Sequence, residues 1–219
     1  GKAHPDPMDV AANAFKVPEM TRRMESMIRK YAPHREGKIE YGVLEWDGAW
    51  DAPSYNPEPY AQGIVQWSLA NGLFFAETFG QFIKEGVVLG TSYTFQETPF
   101  GYIRGHLTED QAWNVFWDGE TIRPKALAHK MFSKYFGTVL VEGELKNSPV
   151  YVKPPDWYDA SYTGDVPYLT AYAGRSDDGD KLYLMFINRH PDQNLSVKTR
   201  IEHFDFDADV VMRVLTGPS

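Results

Sequence analysis

The sequence predicts an α/β portion over residues 1–137 followed by an all-β portion over residues 138–219, and three observations carry that division. Before Gly137, stretches with apolar residues at helical spacing alternate with short, nearly continuous apolar runs, first in the order helix, strand, helix, strand. Such an order implies two parallel strands joined by a crossover helix. After Gly137 the helical spacing stops, and alternating runs separated by turn residues replace it. Gly137 itself follows the last helical pattern, where a helix C-terminus favours glycine.

The first helix opens at Val17-Pro18-Glu19, with Pro18 at an early helical position. It carries Met20, Met24, Met27, Ile28 and Tyr31 on one stripe and ends near Ala32-Pro33. Apolar residues at helical spacing face a core far more often than they form a soft-metal or flexible partner site, so this stripe is expected to be buried. Gly37 then releases the chain into the run Ile39-Glu40-Tyr41-Gly42-Val43-Leu44-Glu45-Trp46, a strand buried on both faces by its pattern. Asp47 to Pro59 forms a loop with Trp50 and Tyr55, and long aromatic loops commonly carry function.

From Pro59 to Lys84 the apolar residues Trp67, Leu69, Leu73, Phe74, Phe75, Phe79 and Ile83 lie nearly all round, the mark of a buried helix. Gly86 ends it, and Val87 to Gln96 reads as the second strand. A second aromatic loop follows, with Tyr102, His106, Trp113 and Trp117, before Arg123-Pro124 opens a helix through about Phe136. In the all-β portion, strands are expected at Thr138–Leu145, Val166–Ala173, Lys181–Asn188, Leu195–Ile201 and Asp209–Leu215. Ser176-Asp177-Asp178-Gly179-Asp180 joins two of them as an antiparallel hairpin.

Composition narrows the function classes. With 42% hydrophobic and 15% aromatic residues, 219 residues suffice for a packed core. A net charge of -8 without a clustered basic surface argues against nucleic acid. The absence of cysteine excludes disulfides, thiolate metal sites and cysteine nucleophiles. No apolar run reaches the ~18 residues of a membrane span. The start Gly1-Lys2-Ala3-His4-Pro5 is no signal peptide, which leaves cytoplasmic and secreted-and-processed origins both open. His34, His106, His129, His190 and His203 show no metal-ligand spacing, and neither a nucleophile elbow nor a phosphate loop is present, so no metal or cofactor is expected.

Glu45 stands out because reactive groups of α/β barrels sit where strands end. The competing reading is a carboxylate that caps a helix or pairs with a base. Three stretches favour the catalytic reading by resemblance. Leu44-Glu45-Trp46, then Arg123-Pro124-Lys125-Ala126-Leu127-Ala128-His129-Lys130-Met131-Phe132, then Asp178-Gly179-Asp180-Lys181-Leu182-Tyr183-Leu184-Met185-Phe186-Ile187-Asn188-Arg189 occur in the order of a clan A glycoside hydrolase. They most closely resemble the α-L-arabinofuranosidases of glycoside hydrolase family fifty-one. There, a Glu-Trp strand end bears the nucleophile, and a last barrel helix precedes a β-sandwich whose strand ends in Asn-Arg.

The resemblance implies that residues 1–137 are the last strands and helices of a TIM barrel and that residues 138–219 are a β-sandwich, incomplete at its end. A closed barrel needs about 250 residues, so 1–137 is only part of one. It implies a retaining glycosidase for α-L-arabinofuranosides or related plant-type glycosides, with Glu45 as nucleophile and Trp46, Trp50, Tyr55 and Gln96 as sugar contacts. For the three aromatics, packing against loop and helix is the equal alternative. The family's acid/base glutamate lies on an earlier strand with no counterpart before Glu45, so a companion chain or a preceding segment is the expected partner; an oligomer is compatible with the sequence. The family usually has Asp before the nucleophile and Asn after the Trp, whereas Leu44 and Asp47 stand here. Glu97 is the best second carboxylate within the chain. The alternative from another class is a noncatalytic carbohydrate-binding or structural protein of glycosidase descent.

Overall fold

A computed structural model describes residues 7–47, 68–93, 122–154, 162–205 and 210–217. Helix α1 spans Pro7–Ala12, a 3-10 turn spans Asn13–Lys16, and α2 spans Val17–Tyr31. Strand β1 covers Gly42–Trp46, α3 Leu69–Lys84, β2 Leu89–Ser92 and α4 Pro124–Tyr135. The remaining strands are β3 Val139–Val141, β4 Val150–Lys153, β5 Gly164–Pro167, β6 Leu169–Arg175 and β7 Leu182–Asn188.

The expected crossover is present: β1 and β2 pair in parallel, with Gly42 opposite Leu89, Val43 opposite Gly90 and Trp46 opposite Ser92. The register shifts between Val43 and Trp46, so Leu44 and Glu45 sit on an irregular stretch of the ladder. No closed barrel is formed among the described residues. Downstream, β3, β6 and β7 make an antiparallel sheet in the order β3-β6-β7, and β4 pairs antiparallel with β5. The β6–β7 hairpin turns where the sequence places it, with Gly179 at φ 80.

Two clusters form the core, and α3 contributes to both. On one side Val10, Ala14, Ala70, Phe74, Phe75 and Ala128 pack together. On the other, Phe132, Phe136, Tyr172, Met185 and Ile187 join α4 to the β6–β7 sheet, with Leu73, Phe79 and Ile83 of α3 against them. Close approach of α3 to the sheet depends on Gly80, where a Cβ would run into the Tyr172 ring. Gly137 ends α4 with φ 81, a left-handed conformation that costs glycine little.

Several expectations are corrected. The α2 stripe is not buried: Met20, Met24, Met27 and Tyr31 are exposed, and the buried residues of α2 are Val17 and Thr21, whose hydroxyl donates to Glu85 Oε2 at 2.9 Å. Periodicity says that a helix has an apolar face, but the group that covers it must come from elsewhere. Leu195–Ile201 and the described part of Asp209–Leu215 form no strand, because alternation alone does not supply a ladder partner. Conversely, α1 and β4 lie in segments the sequence pattern does not mark; Pro7 suits the first position of α1, whose N–H would be unpaired.

Candidate functional site

The C-terminal end of β1 is held from two sides. Across the ladder, Thr91 Oγ1 donates to the Leu44 carbonyl, and the Tyr93 amide donates to the Trp46 carbonyl at 3.1 Å. From the helix side, Trp46 is seated in phenylalanines of α3: its ring centroid is 4.5 Å from Phe75, 5.3 Å from Phe79 and from Phe82, and 6.2 Å from Phe74. Aromatic pairs at these separations, several edge-on, add to the burial energy of the rings. The Trp46 ring thus packs against α3.

Glu45, one residue earlier, is exposed. Among the described residues its side chain makes no hydrogen bond or ion pair, so a capping or ion-pairing role finds no partner there. Leu44, at 76% exposure, also faces open space.

Asp47 has a different fate. Its Oδ2 lies 2.6 Å from Lys125 Nζ, and both side chains are almost wholly buried. The ammonium also stands 5.0 Å above the Phe75 ring. A buried pair of this kind holds only while both charges are present, since either alone would sit uncompensated in a poor solvent for ions. This pair ties the residue after the Glu-Trp dipeptide to the first turn of α4. Sequence reasoning missed it, although one signal existed: a lysine beside Pro124 at a helix N-terminus opposes the helix dipole unless an anion meets it.

Trp50, Tyr55, Gln96 and Glu97 lie outside the described residues, as do Asp51 and His106. Among the described histidines, His129 is half-buried against Phe79, centroids 4.9 Å apart, and burial lowers its pKa below the ordinary 6.5. His190 accepts the amides of Asp192 and Gln193 at 3.1 and 3.0 Å and packs on Tyr168, a turn-forming role. Among the described residues no group of three His, Cys, Asp or Glu could hold a metal ion.

A cleft of about 380 Å³ lies at the opposite end of β1, lined in part by Glu25, Ile28, Arg29, Tyr41 and Glu85. The Tyr41 hydroxyl donates to the Glu85 carbonyl at 3.2 Å. Burial raises its pKa first, and the charges of Glu25 and Glu85 raise it further. Tyr41 precedes the strand that Glu45 nearly ends, so this cleft is separate from the Glu45 surface.

One buried acid was also missed. Glu77, in the middle of α3, is wholly inaccessible and accepts four bonds. Gln81 Nε2 at 2.8 Å and Tyr172 Oη at 2.5 Å donate to Oε1, while Thr170 Oγ1 at 2.5 Å and Arg189 Nη1 at 2.6 Å donate to Oε2. Burial, then the Glu77 charge, drives the Tyr172 phenol above its usual range. Its sequence signal was a single carboxylate in a helix apolar nearly all round.

Neither a protein-family model nor a curated protein sequence matches the chain. Among solved structures, the thermostable GH51 α-L-arabinofuranosidase from Thermotoga petrophila RKU-1 has a similar fold, with a TM-score of 0.58 and 18% sequence identity. The likeness covers 80% of this chain and 34% of that enzyme, so the chain spans about a third of that enzyme's length. At this identity the shared feature is the fold, and sites on a shared fold must be argued on their own chemistry.

Proposed function

We propose that the chain is of glycosidase descent and forms part of a retaining glycoside hydrolase that acts on α-L-arabinofuranosides or related plant-type glycosides. On this reading residues 1–137 are the closing part of a TIM barrel and 138–219 a β-sandwich. The observation that carries the reading is Glu45: an exposed carboxylate, free among the described residues, at the C-terminal end of a parallel strand in a fold similar to that of an arabinofuranosidase. Reactive groups of α/β barrels occupy that end of their strands.

In this mechanism Glu45 attacks the anomeric carbon and forms a glycosyl ester as the glycosidic bond breaks. A second carboxyl, about 5 to 5.5 Å away, protonates the leaving oxygen and then activates the water that cleaves the ester. Asp47 is a poor choice for that acid because Lys125 holds it as a buried anion. We assign the acid to polypeptide beyond this chain, supplied by a companion chain or a preceding segment. Leu44, Val88 and Leu89 around the β1–β2 pair are exposed, whereas parallel sheets are ordinarily covered on both faces, which supports such a partner. Trp50, Tyr55 and Gln96 would contact the sugar, with Trp46 buttressing the strand from behind.

The test is hydrolysis of an aryl α-L-arabinofuranoside by the full-length protein and by its Glu45→Ala variant. Loss of about a thousandfold or more in kcat is expected, the scale on which removal of a nucleophile acts. Equal rates would remove Glu45 from the chemistry and favour the noncatalytic reading.

A further inference from the structure

Asn188, the last residue of β7, and Arg189, which follows it, have a structural part that the proposed chemistry does not use. Asn188 shapes the following turn: its Nδ2 donates to the Gln193 carbonyl at 2.8 Å, and its Oδ1 accepts the His190 amide at 2.9 Å. Arg189 turns the other way, into the protein, and its side chain is wholly buried. One arm of the guanidinium, Nη1, reaches Glu77 of α3 at 2.6 Å and Thr170 of β6 at 3.2 Å. The other, Nη2, reaches the Pro167 carbonyl at 2.6 Å. Phe15, in the turn before α2, lies under the guanidinium at 5.1 Å. One side chain thus touches the helix, β5, β6 and the N-terminal segment.

The other end of this contact chain is β1. Glu77 lies between the phenylalanines of α3 that enclose Trp46: Phe74 and Phe75 precede it, Phe79 and Phe82 follow it. Rotation or sliding of α3 about its contact with the sheet would move all four rings at once. Apolar packing alone permits small sliding, whereas a planar guanidinium with one arm on the Glu77 carboxylate and the other on the Pro167 carbonyl fixes both distance and direction. Supporting contacts of this kind separate a site that is merely present from one held in productive geometry.

We propose that Arg189 and Glu77 are positioning residues: the buried pair locks α3 against the β6–β7 sheet and thereby holds Trp46 and the Glu45 end of β1 in place. The proposal rests on the reading of Glu45 above only in naming the group that is placed. Its test uses backbone exchange, not hydrolysis, so the two can fail separately.

The experiment is hydrogen–deuterium exchange by mass spectrometry on the native protein, following the amides of residues 42–46. Arg189→Lys keeps the charge and loses the fork. Ile187→Val, in the same helix–sheet contact, loses only a methylene and serves as the control for general destabilisation, with denaturant added until the two variants are equally stable. Exchange at residues 42–46 should be about tenfold faster in Arg189→Lys than in the matched control, since local opening is governed by local contacts. Equal exchange in the two overturns the proposal, because Arg189 would then act only through overall stability. Should Arg189→Lys not fold, Glu77→Gln decides by the same criterion: it keeps the shape of the side chain and removes the charge that Arg189 Nη1 meets at 2.6 Å.

Discussion

Two neighbouring carboxylates at the end of β1 behave in opposite ways, and the difference lies in what surrounds them. Glu45 is in solvent and free among the described residues, whereas Asp47 is buried on Lys125. Removing one member of a buried pair leaves the other as an uncompensated charge, at a cost of about 3 to 5 kcal/mol. Lys125→Met should therefore lower the unfolding free energy by roughly that amount in urea titration. Replacing both charges, with Asp47→Leu in addition, should recover most of the loss, since well-packed apolar substitutes for a buried pair are often neutral or better. A double variant no more stable than the single one would mean that the pair's charges are not what matters there.

At the scale of elements, α3 organises the described structure. It covers the β1–β2 pair with one set of aromatics and meets the β6–β7 sheet with another. Gly80 sits at the second contact, where a Cβ would strike the Tyr172 ring. Two effects oppose each other in Gly80→Ala. Alanine improves helix propensity by about 1 kcal/mol, but overpacking a closed contact costs about 1 to 3 kcal/mol. Tyr172 cannot swing away freely, because its hydroxyl is bound to Glu77 within the core. The steric cost should win, giving a net loss that a thermal melt would show; a gain in melting temperature would mean that the helix and sheet part easily.

For the whole molecule, the described residues share one continuous packing across the change of character near Gly137. Phe132 of α4 and Phe136 just after it pack with Tyr172, Met185 and Ile187 of the sheet, and Tyr151 of β4 donates to the Met8 carbonyl of α1 at 2.6 Å. His129 lies in this packing, and its lowered pKa makes stability depend on pH. Above the ordinary imidazole value of 6.5 both folded and unfolded forms are neutral there, and the histidine contributes no pH dependence. Below it the unfolded chain takes up the proton first, so stability falls until the pH passes the lowered folded value. His129→Phe should flatten the fall in melting temperature just below pH 6.5, while the carboxylate-driven loss at lower pH persists. An unchanged slope in that window would show that His129 does not titrate differently on folding.

The helices at 17–31, 69–84 and 124–135, the parallel pair and the hairpin at Gly179 were legible because each has a local signature: spacing, a proline near the start, a glycine at the end or a turn sequence. Glu45 was legible as a carboxylate at the end of an apolar run. What only the tertiary structure decided is which groups meet. The methionine stripe of α2 is as regular as any core face, yet it is exposed, because burial needs a partner surface that spacing cannot name. Asp47 with Lys125, and Glu77 with Arg189, are pairs 78 and 112 residues apart in sequence. Local propensity set the elements along the chain, whereas long-range contacts set the partners, because a desolvated charge persists only where the fold brings its counter-charge to it.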